Sequence, residues 1–279
     1  MIPSVGKAHY VKSHGLGNDY IVIDPAKVPF AVTPEAVRLI CDRHRGVGSD
    51  GILLVAAGDG ADFGVRIFNP DGSEAEKSGN GARIFAKFLR DHGYTDKDRF
   101  TLDTLGGRVT CALEREDGRV AQVTVDMGKA RFDALESIEI DGGRIPVTSV
   151  SLGNPHCVVI VPDLAKIDVH ALGPKIERHR AFPKRTNVQF AEVVSRSEVR
   201  VLIWERGAGY TLASGSSSCA VVAACHRQGL TGRDVTVSMP GGQLSIGIGD
   251  DGEIRMRGPA EEICAGDLSP DLLRRLGAR

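Results

Sequence analysis

Two serine–glycine pairs stand where a side chain and a helix terminus could act together on an anion. Ser78-Gly79-Asn80-Gly81 leads into the apolar run Ile84-Phe85-Ala86-Lys87-Phe88-Leu89, and Ser214-Gly215-Ser216-Ser217-Ser218 leads into Cys219-Ala220-Val221-Val222-Ala223-Ala224-Cys225. Glycine lets a backbone approach a ligand closely, and the first amides of a helix have no intrahelical partner. Together with the helix dipole they form an anion site. Ser78 and Ser214 are separated by close to half of the 279-residue chain, as a duplicated architecture with one such element per half would place them. Two such termini would clamp a small carboxylate in a cleft between the halves. Either stretch alone reads equally as an ordinary turn before a core helix; their matched positions favour the anion site.

The elements that must position these serines read mostly as strands. Ala8–Lys12 and Tyr20–Asp24 flank a polar loop, Ser13–Asp19, which suits a hairpin or a binding loop. Thr33-Pro34 opens a helix with an N-cap and a proline in its first turn, running to about His44. Ile52–Val55 and Phe63–Phe68 are expected strands, the latter feeding Ser78. The helix after Ser78 carries Ile84, Phe85, Phe88 and Leu89 on one inward stripe. The second helix, taken to start at Cys219, is apolar nearly all round up to His226 and must therefore be enclosed, as by a curled sheet. Further strands are expected at Phe100–Thr104, Arg108–Leu113, Val120–Asp126, Ser137–Ile140, Arg144–Val150 and Cys157–Val161. Near the C-terminus come Val199–Trp204, Val235–Ser238, Gln243–Ile248 and Glu253–Arg257. This is not the strand–helix alternation of a parallel sheet. A boundary near Asp126–Phe132 divides the chain into an N-terminal repeat, 1–130, and a C-terminal repeat, 131–279, whose last residues could pack back on the first.

Bulk properties narrow the function classes. Hydrophobic residues make up 42% and charged residues 25% of the chain, as in a soluble globular protein. A formal net charge of −1 gives no reason to expect nucleic acid or an anionic membrane as partner, and aromatics at 5% weaken any base-stacking role. No run has the length of a membrane span and the N-terminus lacks the apolar core of a signal peptide, which points to the cytoplasm. The six cysteines, without CxxC spacing, read as reduced and mostly buried thiols, Cys219 and Cys225 as small core residues of a helix. The eight histidines form no HxxxH or HExxH arrangement. Gly46–Gly51 matches GxGxxG but follows a helix and opens a strand, the reverse of a dinucleotide fingerprint, and is read as a turn. Walker A and GxSxG motifs are absent.

Five segments carry a family resemblance: His14-Gly15-Leu16-Gly17-Asn18-Asp19, Asn69-Pro70-Asp71-Gly72-Ser73-Glu74, Ser78-Gly79-Asn80-Gly81-Ala82-Arg83, Gly153-Asn154-Pro155-His156-Cys157-Val158 and Glu205-Arg206-Gly207-Ala208-Gly209. In order and spacing they resemble diaminopimelate epimerase over nearly the whole chain. The resemblance implies an α+β fold of two pseudo-symmetric domains, each a barrel-like, mostly antiparallel sheet around a central helix, with the substrate in the cleft between them. It implies a homodimer that uses neither pyridoxal phosphate nor metal and interconverts LL- and meso-diaminopimelate in lysine and cell-wall precursor biosynthesis.

In that family two cysteines face each other across the substrate Cα, one as thiolate base and one as proton donor. A thiol suits the task, because a helix N-terminus lowers its pKa from about 8.5. By position these cysteines fall on Ser78 and Ser214. A serine hydroxyl is a far weaker acid and needs a strong neighbouring base. Three readings stay open: a serine-bearing epimerase with a modified route, an isomerase or dehydratase of another amino acid, as in serine- or threonine-bearing relatives of the proline racemase superfamily, or a catalytically silent amino-acid-binding paralogue. Tyr210, where the family usually has Glu, and Ser217, where it often has Gly, argue for natural divergence.

The remaining assignments are implied by the resemblance. Asn18, Asn69, Asn154 and Asn187 match the family's side-chain amides. Glu205 and Arg206 match its acid–base pair. Arg206 would hold the distal carboxylate of the substrate, a task suited to a guanidinium fork, while Glu205 and the asparagines receive the distal ammonium. The amides of Gly79-Asn80 and Gly215-Ser216 would hold the reacting carboxylate. Gly51 stands where some members have Gln. His156 is either a base towards Ser78 or a structural histidine of the Asn-Pro turn. Asn69, before Pro70, also suits a plain turn, and Glu205-Arg206 could be a surface ion pair.

Overall fold

The computed structural model describes residues 8–278. Packing divides them into two units, one holding the chain up to Gly15, Asp19–Val123 and Pro259 onward, the other holding Leu16–Asn18 and Thr124–Gly258. The change of unit comes inside the strand Arg119–Lys129, ahead of the division expected at 130/131. The C-terminal strand Glu261–Asp267 pairs with His9–Gly15 and lies with the first unit.

His9–Gly15 turns through Leu16-Gly17 straight into Asn18–Ile23, whose residues from Asp19 on lie in the first unit. The expected loop Ser13–Asp19 is therefore mostly strand, with a two-residue turn at φ 58° and 87°, the twist that suits a tight hairpin. Asn18–Ile23 runs parallel to Ile52–Ala56, which is antiparallel to Phe63–Phe68. Phe63–Phe68 carries the short strand Glu74–Ala75 and runs parallel to Arg99–Thr104, itself antiparallel to Gly107–Glu116. The second unit repeats this sequence of pairings. Thr148–Ser151 and Pro155–Ile160 form the hairpin, and Pro155–Ile160 runs parallel to Asn187–Ser195. Asn187–Ser195 is antiparallel to Glu198–Glu205, which carries the short strand Gly209–Thr211 and runs parallel to Asp234–Met239. Asp234–Met239 is antiparallel to Gly242–Ile248, and Glu253–Gly258 follows.

The helices are α1 (Pro34–Cys41), α2 (Gly79–Asp91), α3 (Val169–Glu177), α4 (Gly215–Arg227) and α5 (Pro270–Arg275). In each unit a short helix, α1 or α3, bridges the first parallel pair of strands and a long one, α2 or α4, bridges the second. α1 packs Val37 and Ile40 with Ile21, Ile23 and Ile52; α3 packs Val169 and Ile176 with Cys157, Val159 and Val188. α4 touches the strands Thr148–Ser151, Pro155–Ile160, Asn187–Ser195, Gly242–Ile248 and Glu253–Gly258. The enclosure expected for an all-apolar helix is thus met by the surrounding sheet.

Several sequence expectations need correction. α1 ends at Cys41 rather than His44, because the Asp42 carboxylate accepts the amides of His44 and Arg45 at 2.8 Å each and turns the chain out of the helix. α4 begins at Gly215, not Cys219, since Ser214 caps it. α2 is buried on every side from Gly79 to Leu89, not along one stripe. Arg83 and Lys87 are buried with it: Lys87 Nζ donates to Asp91 and to the Val120 carbonyl, both at 2.7 Å. The stretch Arg144–Val150 is two strands, Gly143–Pro146 and Thr148–Ser151. Sequence reading missed Asn187–Ser195, whose Asn187 and Gln189 point a polar pattern into the interior, and α3, which contains Gly173-Pro174. It also missed the largely exposed Glu261–Asp267 and α5.

Candidate active site

Ser78 and Ser214 occupy equivalent places in their units. Each follows the short strand of the sheet and caps the long buried helix, with nearly the same backbone conformation: φ −135°, ψ 120° and φ −147°, ψ 125°. An extended N-cap turns its side-chain oxygen onto the first helical amides. Ser78 Oγ accepts from the Gly81 amide at 3.0 Å, and Ser214 Oγ from the Ser217 amide at 3.5 Å. Gly79-Asn80 and Gly215-Ser216 head α2 and α4, and all four are buried.

The environments of the two serines differ. Ser78 Oγ lies 3.3 Å from the hydroxyl of Tyr20, a residue with no signal in the sequence reading. Beneath it, the fully buried Arg83 donates to Asn80 Oδ1 at 3.0 Å, to the Gly79 carbonyl at 3.3 Å and to the Pro259 carbonyl at 3.0 Å. A Cβ on Gly15 would lie 2.9 Å from Arg83 Nη2, so this packing requires glycine there. In the second unit, Ser218 Oγ donates to the Ser214 carbonyl at 2.8 Å. Cys219 and Cys225 are both fully buried on α4. Burial pushes the thiols of Cys157 and Cys225 up to about 12 and that of Cys41 up to about 11. None of these three supplies a thiolate near neutrality.

His156 sits in the middle of a chain of polar side chains. Gln189 Nε2 donates to Ser217 Oγ at 2.9 Å and lies 3.1 Å from His156 Nδ1. His156 Nε2 lies 2.9 Å from Asn154 Oδ1, and Asn154 Nδ2 donates to Ser216 Oγ at 3.5 Å. A neutral imidazole accepting at Nδ1 and donating at Nε2 satisfies both contacts. Full burial, reinforced by the charge of Arg206, lowers the His156 pKa to about 3. Of the two roles open to His156 from the sequence, these contacts suit the structural histidine of the Asn-Pro turn: both ring nitrogens are engaged and burial disfavours protonation. The histidine holds the Asn154 amide in place.

The asparagines divide in the same way. Asn187 Nδ2 donates to the Pro155 carbonyl at 2.9 Å and its Oδ1 accepts the Arg206 amide at 3.0 Å. Its side chain thus braces the loop that bears Arg206. Asn69 Nδ2 donates to Ser73 Oγ at 3.0 Å, and Asn69 heads the turn that returns at Ser73. Asn18 is half-buried at the start of its strand. Glu205 and Arg206 are half-buried at the end of Glu198–Glu205, where a tight turn closes with the Ala208 amide donating to the Glu205 carbonyl at 3.2 Å. Gly51 lies against Tyr20: a Cβ there would stand 2.8 Å from Tyr20 Cε1. Among the described residues, no group of three or more His, Cys, Asp or Glu is arranged to hold a metal ion.

A protein-family model described as "Diaminopimelate epimerase" matches residues 10–133 and 148–263. The chain belongs to the diaminopimelate epimerase family. "Diaminopimelate epimerase 2" of Nostoc sp. is 45% identical over 277 residues, spanning 94% of this chain and 96% of the relative. "Diaminopimelate epimerase" of Pelotomaculum thermopropionicum is 44% identical over 277 residues, spanning 93% and 98%. Among solved structures, a hydroxyproline epimerase from Agrobacterium vitis superposes with a TM-score of 0.77 at 17% identity, covering 97% of this chain and 94% of that one. A phenazine biosynthesis protein of the PhzF family from Bacillus anthracis superposes with a TM-score of 0.71 at 14% identity, covering 94% and 99%. Family and α+β fold agree with the resemblance carried by the five sequence motifs.

Proposed function

We propose that the chain is a cofactor-independent amino-acid epimerase acting on LL- and meso-diaminopimelate, with Ser78 and Ser214 as its proton-transferring groups. The observation that carries this reading is the equivalence of the two serines, each an N-cap of a largely buried helix in a family of epimerases. The helix-heading amides of Gly79-Asn80 and Gly215-Ser216 suit the carboxylate on the reacting carbon, whose negative charge grows as the Cα proton leaves. Glu205 and Arg206 suit the ammonium and carboxylate of the far end. Asn18, Asn69 and Asn154 add polar contacts, and Asn187 supports Arg206 from behind.

Proton abstraction must be slow in this arrangement, because neither hydroxyl is a thiol. Tyr20 offers the first serine partial relief. As Ser78 Oγ takes the Cα proton, its own proton can pass to a deprotonated Tyr20 oxygen, 3.3 Å away. Ser214 would then deliver its proton to the carbanion from its own helix cap. The relatives' names support a place in lysine biosynthesis; a role in cell-wall precursor formation and a cytoplasmic homodimer belong to this reading through the sequence resemblance alone. No helix among the described residues is long and apolar enough to cross a membrane.

One observation favours a silent amino-acid-binding paralogue instead: both helix caps carry a serine hydroxyl, a far weaker acid than a thiol. Deuterium incorporation at Cα of LL- or meso-diaminopimelate in D2O, followed by NMR, separates the two. Exchange by the unaltered chain supports the epimerase. Exchange only after Ser78→Cys with Ser214→Cys supports a retained but silent site. Silence in that double variant rejects the substrate, and leaves an isomerase or dehydratase of another amino acid.

A further inference from the structure

The turn bearing Glu205 and Arg206 is held from below by a residue that no motif marks. Glu177, the last residue of α3, is 2% exposed. Its Oε1 accepts the Gly207 amide at 3.1 Å, and its Oε2 accepts the indole Nε1 of Trp204 at 3.0 Å. Arg185, half-exposed, approaches Oε1 at 3.5 Å. The two bonds of the carboxylate bracket the Glu205–Arg206 pair in the chain, one on the residue before it and one on the residue after. Between them, the Arg206 amide is taken by Asn187 Oδ1 at 3.0 Å.

The turn needs such partners. Gly207 is at φ 80°, a left-handed conformation that glycine adopts without strain, and its amide is met by the buried Glu177 carboxylate. Trp204 cannot slide away from Glu177 either, because its ring lies over Gly173, where a Cβ would be 2.6 Å from Trp204 Cγ. Two side-chain oxygens on two different elements therefore fix the backbone under Arg206 before any ligand arrives. Such preorganisation lowers the ordering cost of recognition at that end alone.

We infer that Glu177 is the positioning residue of the Glu205–Arg206 pair, and that its grip selects amino acids carrying both an ammonium and a carboxylate at their far end. The selectivity part rests on the reading given under Proposed function; the grip itself does not. Glu177→Gln keeps the side chain's size but leaves one oxygen for two donors, so one of the two bonds is lost.

The test has two readouts on the full chain. The first is amide hydrogen exchange of Arg206 and Gly207, with the emission of Trp204, the protein's single tryptophan. Glu177→Gln is expected to accelerate Gly207 exchange by about tenfold or more and to shift Trp204 emission; unchanged exchange and emission would overturn the inference. The second is calorimetric binding of meso-diaminopimelate against L-2-aminobutyrate, which lacks the far end. Glu177→Gln is expected to weaken diaminopimelate by about tenfold or more while leaving aminobutyrate within about twofold. Equal weakening of both would mean a structural role only and reject the selectivity. If the unaltered chain binds no diaminopimelate while Gly207 exchange still responds, the substrate reading fails, the selectivity with it, and the grip stands. Should Glu177→Gln not fold, Trp204→Phe removes a single bond of the clamp and is expected to leave Gly207 protected.

Discussion

The hydroxyl of Tyr20 stands 3.3 Å from Oγ of Ser78, and this makes the two family-equivalent serines chemically unequal. Ser78 has a phenol beside it and a helix amide on it; Ser214 has its helix amide and the hydroxyl-rich start of α4. In the proposed reaction this difference assigns proton removal to Ser78 and proton delivery to Ser214. Tyr20→Phe removes only the hydroxyl. We expect it to slow Cα deuterium exchange by about tenfold, equivalent to ~1.4 kcal/mol, and to be silent when combined with Ser78→Cys. Equal slowing in both backgrounds would show that Tyr20 serves packing alone.

Thiols placed at the two caps should be acidic. A helix N-terminus lowers a cysteine pKa below its usual ~8.5, so Ser78→Cys and Ser214→Cys should each show thiolate absorbance at 240 nm rising below that pH. A thiol titrating at or above it would mean the buried cap is dominated by desolvation.

The neutral His156 ties stability to pH. Its folded pKa is about 3, below the ~6.5 of an unfolded histidine. A base depressed in this way contributes fully above the unfolded value and loses its contribution as pH falls from there towards the folded one. Per pH unit in that window the loss approaches ~1.4 kcal/mol. The stability gap between the unaltered chain and His156→Gln should therefore narrow by about 2 kcal/mol from pH 7 to pH 5. Urea unfolding at both pH values measures it, and a constant gap would count against the buried neutral ring.

Asp19 works in a lower window. Burial pushes its carboxyl up, but hydrogen bonds and charge from Arg43 and Lys12 outweigh this and hold it below its ordinary value. Its carboxylate accepts from Arg43 at 2.8 Å, and Lys12 lies 3.0 Å away. A depressed acid stabilises above its unfolded pKa and loses that effect as pH falls through the folded value. Asp19→Asn should cost about 1–2 kcal/mol at pH 7, discounted because Arg43 is half-exposed. The cost should shrink below about pH 4, as thermal unfolding across pH 3–7 would show.

Gly173→Ala should cost about 1–3 kcal/mol through overpacking against Trp204, where the added carbon would lie 2.6 Å from Cγ. Emission from Trp204 should shift with it. A variant as stable as the parent, with the same emission, would show that α3 can yield.

Much of this protein was written locally. Thr33 could be read as a helix cap, and Ser78 and Ser214 as standing at the mouths of helices, because a cap is made by one side chain and amides within the next turn. The enclosure of α4 was legible because a helix without a polar face has nowhere else to go. α2 was misread for the complementary reason: Arg83 and Lys87 look like a solvent face until carbonyls far along the chain, at Pro259 and Val120, accept their protons. The motifs named the family and the two serines. They could not say that His156 is neutral, since its pKa depends on burial and on partners from other strands. Nor could they reveal Tyr20 beside Ser78, or Glu177 under Glu205–Arg206, because those contacts join residues 58, 27 and 30 positions apart. Residue types and short spacings decide caps, turns and family motifs; desolvation and long-range hydrogen bonds decide what each site residue can do, and only the folded chain brings those partners together.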